Sequence, residues 1–387
     1  MSTIKSGKLK VLFYTEGFDG VQAPIRRYKQ LAKHIDRDRF SCVFVSRLRS
    51  DDTGAGIRGL ENYQPTIDYI KSFGHTVVLP PKVSPTQRLV RLEKYISELK
   101  PDIYATYVLT SIADAHMMGR FARVAGSKLV KFCLAFPECS ALVNATVHHS
   151  ATTFDVDTNA NKILIPSRYD PEMALDDMNS GVTRADLGIP EHAVVLATIG
   201  RDNMVQRTRQ EAKYLVRVLQ DNPNAFYLSI GSGANFDHPQ MGSTEFRRDV
   251  CSILKLVDIG LDTWPQGGGW TIPQFCMMGI PMVMMKTSLN FSWCNKSLND
   301  TLGIPELSPP WAEWNAWRRL LNALIQIPEY RMEMSIKAGN RGSELANYTE
   351  YMRAVEELFI DVHSDVHSLK WRNSSVYSGF QGEANVH

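Results

Sequence analysis

Short apolar runs alternate with amphipathic, helix-like segments along the whole chain. The first half opens with the apolar run Val11–Tyr14 and closes with Ile163–Ile165, and the pattern restarts at Ala193–Ile199 and continues to Met282–Met285. Strands that alternate with helices indicate parallel sheets joined by right-handed crossovers. The pattern therefore predicts an α/β protein with two tandem Rossmann-like, doubly wound domains, whose strands end at a shared cleft.

The individual elements follow from the same alternation. Strands are expected at Val11–Tyr14, Cys42–Ser46, Thr76–Leu79, Ile103–Tyr107, Leu129–Leu134, Ile163–Ile165, Ala193–Ile199, Phe226–Ile230, Val257–Leu261 and Met282–Met285. Helices are expected at Pro24–Ile35, Thr66–Phe73, Thr86–Leu99, Ile112–Val124, Gln210–Gln220, Thr244–Lys255, Thr271–Met278, Trp311–Ile325, Tyr330–Ala338 and Ser343–Val362.

The domain boundary is expected in the polar, turn-rich segment Ser167–Pro190. A chain of 387 residues is too long for one ordinary core, so two domains are the natural expectation. We predict an N-terminal domain over residues 1–170, a second domain over 171–342, and a C-terminal helix and tail over 343–387 that return toward the first domain.

Composition narrows the class of protein. The net charge of +2 does not indicate a nucleic-acid or membrane surface, and the six cysteines lack metal-ligand spacing, which favours reduced thiols. The N-terminus leads straight into a strand, without a signal peptide, and no apolar run is long enough to span a bilayer. We therefore expect a cytoplasmic protein without an integral membrane segment.

The segment Val257–Val283 carries the strongest chemical signal. A buried strand is followed by Gly267, Gly268 and Gly269, and a helix is expected to begin near Trp270 and Thr271. Glycine permits close backbone approach to a ligand, and a helix N-terminus presents unpaired N–H groups and a positive dipole end. This arrangement is typical of a phosphate cradle.

Two other strand ends of the second half carry candidate ligand-binding residues. Gly200 ends the first strand, and Arg201 and Arg207 follow with guanidinium groups suited to a diphosphate. The alternative is that these arginines form solvated ion pairs with nearby acids. Gly231-Ser-Gly233 ends the next strand and is a candidate for backbone contact with a nucleotide base.

These motifs together resemble the donor domain of GT-B glycosyltransferases, which use nucleotide sugars. The segment Val147–Asp170 is similar to the His-Pro-Ala-Thr-Thr segment of the bacterial adhesin N-glycosyltransferases, relatives of the O-GlcNAc transferases, and Leu302–Glu306 also fits that group. The resemblance places the donor in the second domain and the acceptor on the first. It implies that the donor is bound by Gly200, Arg201, Gln206, Arg207, Gly231, Gly233, Gly268, Gly269, Trp270, Thr271 and Gln274.

Some positions match the family's pattern and others depart from it. His149 matches an active-site histidine beside the donor phosphates, and Arg207 matches a basic residue, usually lysine, at the leaving diphosphate. Gln274 stands where the family usually has an acid that holds the ribose hydroxyls, and Gln266 stands where retaining relatives have a glutamate. These amides argue against the retaining subgroup.

An inverting transfer needs a base that takes the proton of the acceptor. Asp19 is the first candidate and Glu16 the second, both in the loop after the first strand, and Glu138 is a third candidate in a later loop. For each acid, a helix cap or a solvated loop position is the alternative interpretation.

The resemblance implies an inverting, metal-independent hexosyl- or N-acetylhexosaminyl-transferase with a UDP-sugar as co-substrate and no other cofactor. The acceptor stays open between protein, glycan, lipid, small molecule and modified DNA base. A non-catalytic protein that binds a nucleotide sugar or a partner is the main alternative. A Rossmann oxidoreductase is disfavoured, because no Gly-x-Gly-x-x-Gly follows a predicted strand.

Overall fold

The computed structural model describes residues 7–15, 18, 23–46, 63–79, 82–107, 112–133, 143–150, 154, 157, 161–175, 178–200, 209–231, 237–245, 247, 249–263, 269–286 and 293–364. The chain forms two compact units. Unit 1 comprises Met1–Ser167 together with Thr349–His387, and unit 2 comprises Arg168–Tyr348.

Unit 1 is built on a seven-stranded sheet with the order β3-β2-β1-β4-β5-β6-β7. All described pairs in this sheet are parallel. The strands are β1 (Leu9–Thr15), β2 (Phe40–Ser46), β3 (Thr76–Val78), β4 (Ile103–Thr106), β5 (Lys128–Cys133), β6 (Ala145–His148) and β7 (Lys162–Leu164). Its helices are α1 (Ala23–His34), α2 (Gln64–Ser72), α3 (Pro85–Leu99), α4 (Ile112–Ala125) and the C-terminal helix Tyr348–His363.

The alternation of side chains along β1 explains how this sheet is covered on both faces. Leu12 and Tyr14 pack in one cluster with residues of α3 and α4. Phe13 points to the opposite face, where its ring stacks on Phe44 at 4.9 Å and meets Phe359 of the C-terminal helix at 6.1 Å. Successive strand residues face opposite sides, so one buried strand supplies both cores.

Unit 2 is built on a five-stranded sheet with the order β10-β9-β8-β11-β12, again with parallel pairs. Its strands are β8 (Val194–Ile199), β9 (Ala225–Ile230), β10 (Met241–Thr244), β11 (Ile259–Leu261) and β12 (Met282–Val283). Its helices are α5 (Pro171–Ala174), α6 (Arg209–Asp221), α7 (Val250–Leu254), α8 (Thr271–Met277), α9 (Trp293–Leu302), α10 (Trp314–Gln326) and α11 (Pro328–Leu345). The C-terminal helix Tyr348–His363 is α12.

The predicted fold class is confirmed, because both sheets are parallel and doubly wound. Strand order reverses at β1/β4 in unit 1 and at β8/β11 in unit 2. These reversals are the switch points where doubly wound sheets bind ligands, outside the carboxyl ends of the strands. Among the described residues, no helix combines the length and the apolar character needed to cross a membrane.

Three predicted helices were wrong in extent by more than three residues. The helix expected over Tyr330–Ala338 is α11, which runs over Pro328–Leu345. The helix expected over Thr244–Lys255 is only Val250–Leu254, and Thr244 instead ends strand β10. This strand was missed because it is a half-exposed edge strand, Met-Gly-Ser-Thr, without an apolar pattern. The buried strand β6, Ala145–His148, was also missing from the predicted strands. The stretch Ser343–Val362 is not continuous either, since α11 ends at Leu345 and α12 begins at Tyr348.

Candidate functional site

Two glycines line the carboxyl edge of the unit 2 sheet. Gly200 follows β8 and Gly231 follows the neighbouring strand β9. The Gly200 N–H donates to the Ile230 carbonyl at 3.0 Å, and the Gly231 N–H donates to the Thr244 carbonyl at 3.1 Å. The two glycines therefore extend the parallel ladder beyond the last strand residues.

Gly231 cannot be replaced without strain at this edge. Its φ is +99°, in a region that residues with a side chain rarely adopt, and a Cβ built on it would lie 2.5 Å from the Gly200 carbonyl oxygen. A carbonyl oxygen of the sheet cannot move away as the end of a flexible side chain could. At the ends of β8 and β9, this edge therefore presents the backbone of Gly200 and Gly231 without a side chain.

The predicted phosphate-binding residues Trp270 and Thr271 lie at the start of helix α8, Trp270 as its N-cap and Thr271 as its first residue. It follows β11, which pairs with β8, so the helix begins beside the same switch point. Trp270 is buried, and its ring meets Tyr169 edge-on at 5.2 Å. A Cβ on Gly269 would lie 3.2 Å from a methyl group of Leu298. The start of α8 is thus held by tight packing on both Trp270 and Gly269.

Two further glycines seat α8 and were not singled out from the sequence. Gly260 lies within β11, and a Cβ there would lie 2.9 Å from the Phe275 ring. Gly342 lies within α11, and a Cβ there would overlap the Cys276 carbonyl and the backbone of Met277. Glycine destabilises the interior of a strand or a helix, so its presence there indicates that a neighbouring group comes close to the backbone. That is the sequence signal for both contacts.

Gln274, the residue predicted to face the ribose, is buried on α8. Its side-chain amide nitrogen donates to the Cys251 sulfur at 3.4 Å, and the Cys251 thiol donates to the Ala174 carbonyl at 3.4 Å. The amide is therefore engaged with a neighbouring thiol in this structure.

In unit 1, His149 lies directly after β6 and is buried. Its Nδ1 is 2.9 Å from the Ile165 carbonyl oxygen, which can only accept, so Nδ1 carries the proton. Its ring stacks near Tyr107 and Phe132, each at 6.1 Å, and meets Tyr351 at 5.9 Å. Nε2 is buried without a hydrogen-bond partner among the described residues.

This surrounding keeps His149 neutral. Burial lowers the pKa of His149 to about 3, and the positive charge of Arg27 lowers it as well. The hydrogen bond to Ile165 acts in the opposite direction but is outweighed. At neutral pH the imidazole is therefore an acceptor through Nε2 and cannot serve as a general acid.

His148, the neighbour of His149, has different partners. Its Nε2 lies 2.7 Å from Asp157 Oδ2, with side-chain exposures of 0% and 1%. Burial lowers the pKa of His148, although the Asp157 carboxylate favours the charged form. We therefore regard the contact as a neutral imidazole donating to a carboxylate, not as an ion pair. Asp157 was not singled out from the sequence.

Several predicted site residues lie outside the described part of the chain. These are the candidate bases Asp19, Glu16 and Glu138, and the donor-site residues Arg201, Gln206, Arg207, Gly233 and Gly268, with Gln266. Within unit 2, the structure brings Gly200 and Gly231 together at one sheet edge. It describes His149 in the other unit.

The fold has counterparts among solved structures. HepE from Anabaena, in complex with UDP and glucose, aligns with a TM-score of 0.65 at 12% identity, covering 90% of this chain and 99% of HepE. The chain has the GT-B fold. A mutant O-GlcNAc transferase from Thermobaculum terrenum aligns with a TM-score of 0.62 at 12% identity, covering 93% of this chain and 69% of that protein.

One of the similar structures is described as an epimerase and not as a transferase. A Listeria monocytogenes protein described as a "putative UDP-N-acetylglucosamine 2-epimerase" aligns with a TM-score of 0.58 at 11% identity, covering 93% of this chain and 98% of that one. No protein-family model and no curated protein matches the chain in sequence. At these identities the likeness establishes the GT-B fold and nothing finer.

Proposed function

We propose that this chain is a glycosyltransferase that takes a sugar from a nucleotide diphosphate donor, a UDP-sugar, held by unit 2. The observation that carries the proposal is the backbone-lined edge at Gly200 and Gly231, beside the start of α8. Two adjacent strand ends without side chains, at a switch point, leave backbone groups accessible to a nucleotide diphosphate. HepE, which shares the fold, has been solved with UDP and with UDP-glucose, which supports this ligand class.

The reaction we propose is a direct displacement with inversion at the anomeric carbon. The acceptor atom forms a bond to that carbon while the bond to the diphosphate oxygen breaks, and the electron pair leaves with the diphosphate. Arg201, Arg207 and the N–H groups at the start of α8 stabilise the leaving group without a divalent metal. The proton of the acceptor passes to a carboxylate, Asp19 in the first instance.

A second candidate function is binding without turnover. It is favoured by Gln274, whose amide contacts Cys251 Sγ at 3.4 Å and occupies the position at which the family resemblance leads us to expect an acid. An amide holds a ribose diol less strongly than a carboxylate does. Such a protein would bind the nucleotide sugar and transfer nothing.

Arg207→Ala tests the donor site. We expect its UDP affinity, measured by calorimetry, to fall at least about tenfold, or about 1.4 kcal/mol, because a cation facing the diphosphate is lost. The matched control is Arg217→Ala on α6 of the same unit, where the guanidinium lies over the Tyr214 ring at 5.3 Å. Equal affinities in the wild type and in Arg207→Ala would refute the donor-site assignment.

Turnover separates the two candidate functions. Labelled UDP-sugars are incubated with protein, glycan, lipid, small-molecule and modified-DNA acceptors, and UDP release and transfer are measured with and without a metal chelator. Transfer that persists in the chelator supports the proposed enzyme. Tight UDP binding with no release or transfer in any mixture favours the binding protein.

A further inference from the structure

A set of polar contacts ties the connection between β6 and β7 to both strands. The last residue of β6, His148, bonds to Asp157 at 2.7 Å in a fully buried contact. The first residue of β7, Lys162, donates from Nζ to the carbonyl oxygens of Phe154 and Asp157, each at 2.6 Å. We call His148, Phe154, Asp157 and Lys162 the β6–β7 clamp.

Aromatic packing closes the clamp. The Phe154 ring meets the His148 ring edge-on at 5.9 Å with an interplanar angle of 86°. The Lys162 ammonium lies 4.6 Å from the centroid of the same Phe154 ring. Each member therefore contacts at least two others, and both strands contribute a side chain to the clamp.

Buried polar contacts of this kind are weak evidence for a gain in stability. Burying a charge costs free energy, and well-packed apolar residues often serve equally well or better in place of a buried polar pair. A buried, directional set of contacts instead selects one conformation of the segment that carries it. The question is which group depends on that conformation.

The dependent group is His149. In the β6–β7 pair, His148 lies opposite Leu164, and the Ile165 N–H donates to the His148 carbonyl at 2.9 Å. The carbonyl of the same Ile165 receives the His149 Nδ1–H at 2.9 Å. The clamp includes His148, the residue before His149, and Lys162, the first residue of the strand that precedes Ile165. The clamp residues therefore lie next to the two backbone positions on which the His149 ring depends, its own backbone and the Ile165 carbonyl.

We propose that Asp157 and Lys162 are positioning residues for the transfer reaction, acting through the β6–β7 clamp on the orientation and tautomer of His149. This inference rests on the proposed function only for its effect on turnover. The geometry of His149 is a separate consequence that can be observed in the absence of any activity.

The experiment compares Asp157→Ala and Lys162→Met with the conservative variants Asp157→Asn and Lys162→Arg. The matched control is Glu356→Gln. Glu356 is also a buried carboxylate of unit 1, and it accepts the Asp36 N–H at 2.8 Å at the opposite, amino-terminal end of the sheet. Nitrogen-15 NMR of labelled histidine, with His149 assigned by His149→Phe, reports the tautomer directly.

We expect the wild type to show a single His149 tautomer with the proton on Nδ1. Asp157→Ala and Lys162→Met should mix the two tautomers and lower kcat at least tenfold, with KM for the UDP-sugar within twofold of the wild type. Asp157→Asn keeps an acceptor and Lys162→Arg keeps a cation, so both should recover kcat to within about threefold. Glu356→Gln should leave the His149 signal and kcat unchanged.

Each outcome decides the proposal. If the wild type turns over no donor, the proposed function fails and the effect on turnover fails with it. The His149 signal then decides whether the clamp sets the tautomer of His149. Folded Asp157→Ala and Lys162→Met proteins with a wild-type His149 signal would overturn the proposal. In an active enzyme, a wild-type kcat in both folded variants would overturn it as well. If one of them does not fold, the other decides. If neither folds, the clamp is required for folding and the positioning role is rejected.

Discussion

The two units finish their sheets in opposite ways. At the described carboxyl edge of unit 2, Gly200 and Gly231 present backbone alone, with no room for a Cβ on Gly231. At the end of β6 in unit 1, His148 and His149 present buried side chains whose protonation is fixed by their neighbours. The edge in unit 2 has no space for a side chain at Gly231, whereas the edge in unit 1 carries histidine side chains whose protonation depends on the residues around them.

This difference teaches where each edge is vulnerable. At the edge in unit 2, any side chain introduced at Gly231 should lower the free energy of unfolding, whatever the chemistry of that side chain. A side-chain edge should respond to pH and to changes in its neighbours while its backbone tolerates substitution. Three predictions, from the largest expected effect to the smallest, can break or sharpen the comparison.

Gly231→Ala should have the largest effect. A positive φ costs about 1–2 kcal/mol for a residue with a Cβ, and overpacking against backbone costs about 1–3 kcal/mol more. We therefore expect the free energy of unfolding in urea to fall by about 3 kcal/mol. Calorimetry should show loss of UDP binding as well, because the strand end must shift.

Gly188→Ala is the control for Gly231→Ala. Gly188 also has a positive φ, +65°, but a Cβ there meets nothing within 4 Å. The free energy of unfolding of Gly188→Ala should fall by about 1 kcal/mol, and UDP binding should be unchanged. If the two variants lose equal stability, the close approach of Gly231 to Gly200 contributes nothing, and the comparison between the edges is broken.

Gly342→Ala tests whether α8 is seated through backbone contact. The added methyl group would overlap the Cys276 carbonyl, so we expect a loss of about 2 kcal/mol in the free energy of unfolding. Gly339→Ala on the same helix is the control, since its Cβ would lie 3.9 Å from the nearest atom, Gly279 Cα. This second variant should gain up to about 1 kcal/mol from better helix propensity. Equal stability of both variants would contradict the contact.

The pH dependence of stability tests the buried state of His149. Its folded pKa, about 3, lies below the ordinary value of 6.5, so between these values the unfolded chain binds a proton that the folded chain does not. Its contribution is therefore present above pH 6.5 and is lost as the pH falls toward 3. The expected slope is at most about 1.4 kcal/mol per pH unit.

Between pH 6 and pH 4, the free energy of unfolding should fall less steeply in His149→Phe than in the wild type. The slope should decrease by about 1 kcal/mol per pH unit. His75 and His148, whose pKa values are also lowered by burial, keep a residual slope in the variant. The control is His116→Leu, because His116 is exposed on α4. An unchanged slope in His149→Phe would show that His149 takes up protons in the folded state.

Much of the architecture was readable from the sequence because hydrophobic periodicity is a local property. Runs such as Ala193–Ile199 predicted β8 almost to the residue. The edge strand Met241–Thr244 was missed because half-exposed edge strands need no apolar pattern. The segment is a strand because it pairs with β9, and this pairing is a tertiary contact that local sequence does not show.

The glycines show the same division within the candidate site. The sequence placed Gly200 and Gly231 after strands, since a strand end followed by glycine is visible locally. It did not reveal that Gly260 makes room for Phe275 or that Gly342 makes room for Cys276, because these partners are distant in the sequence. Both contacts exist only once the sheet and helices have packed.

By itself, the sequence determined the α/β class, the two parallel sheets and the glycine-rich strand ends, because each follows from neighbouring residues and backbone geometry. Only the tertiary structure decided the state of His149. Its Nδ1 proton is fixed by Ile165, its surroundings come from Tyr107, Phe132 and Tyr351, and its low pKa follows from burial among them. Burial and charge depend on residues far apart in the chain, so they are properties of the packed unit.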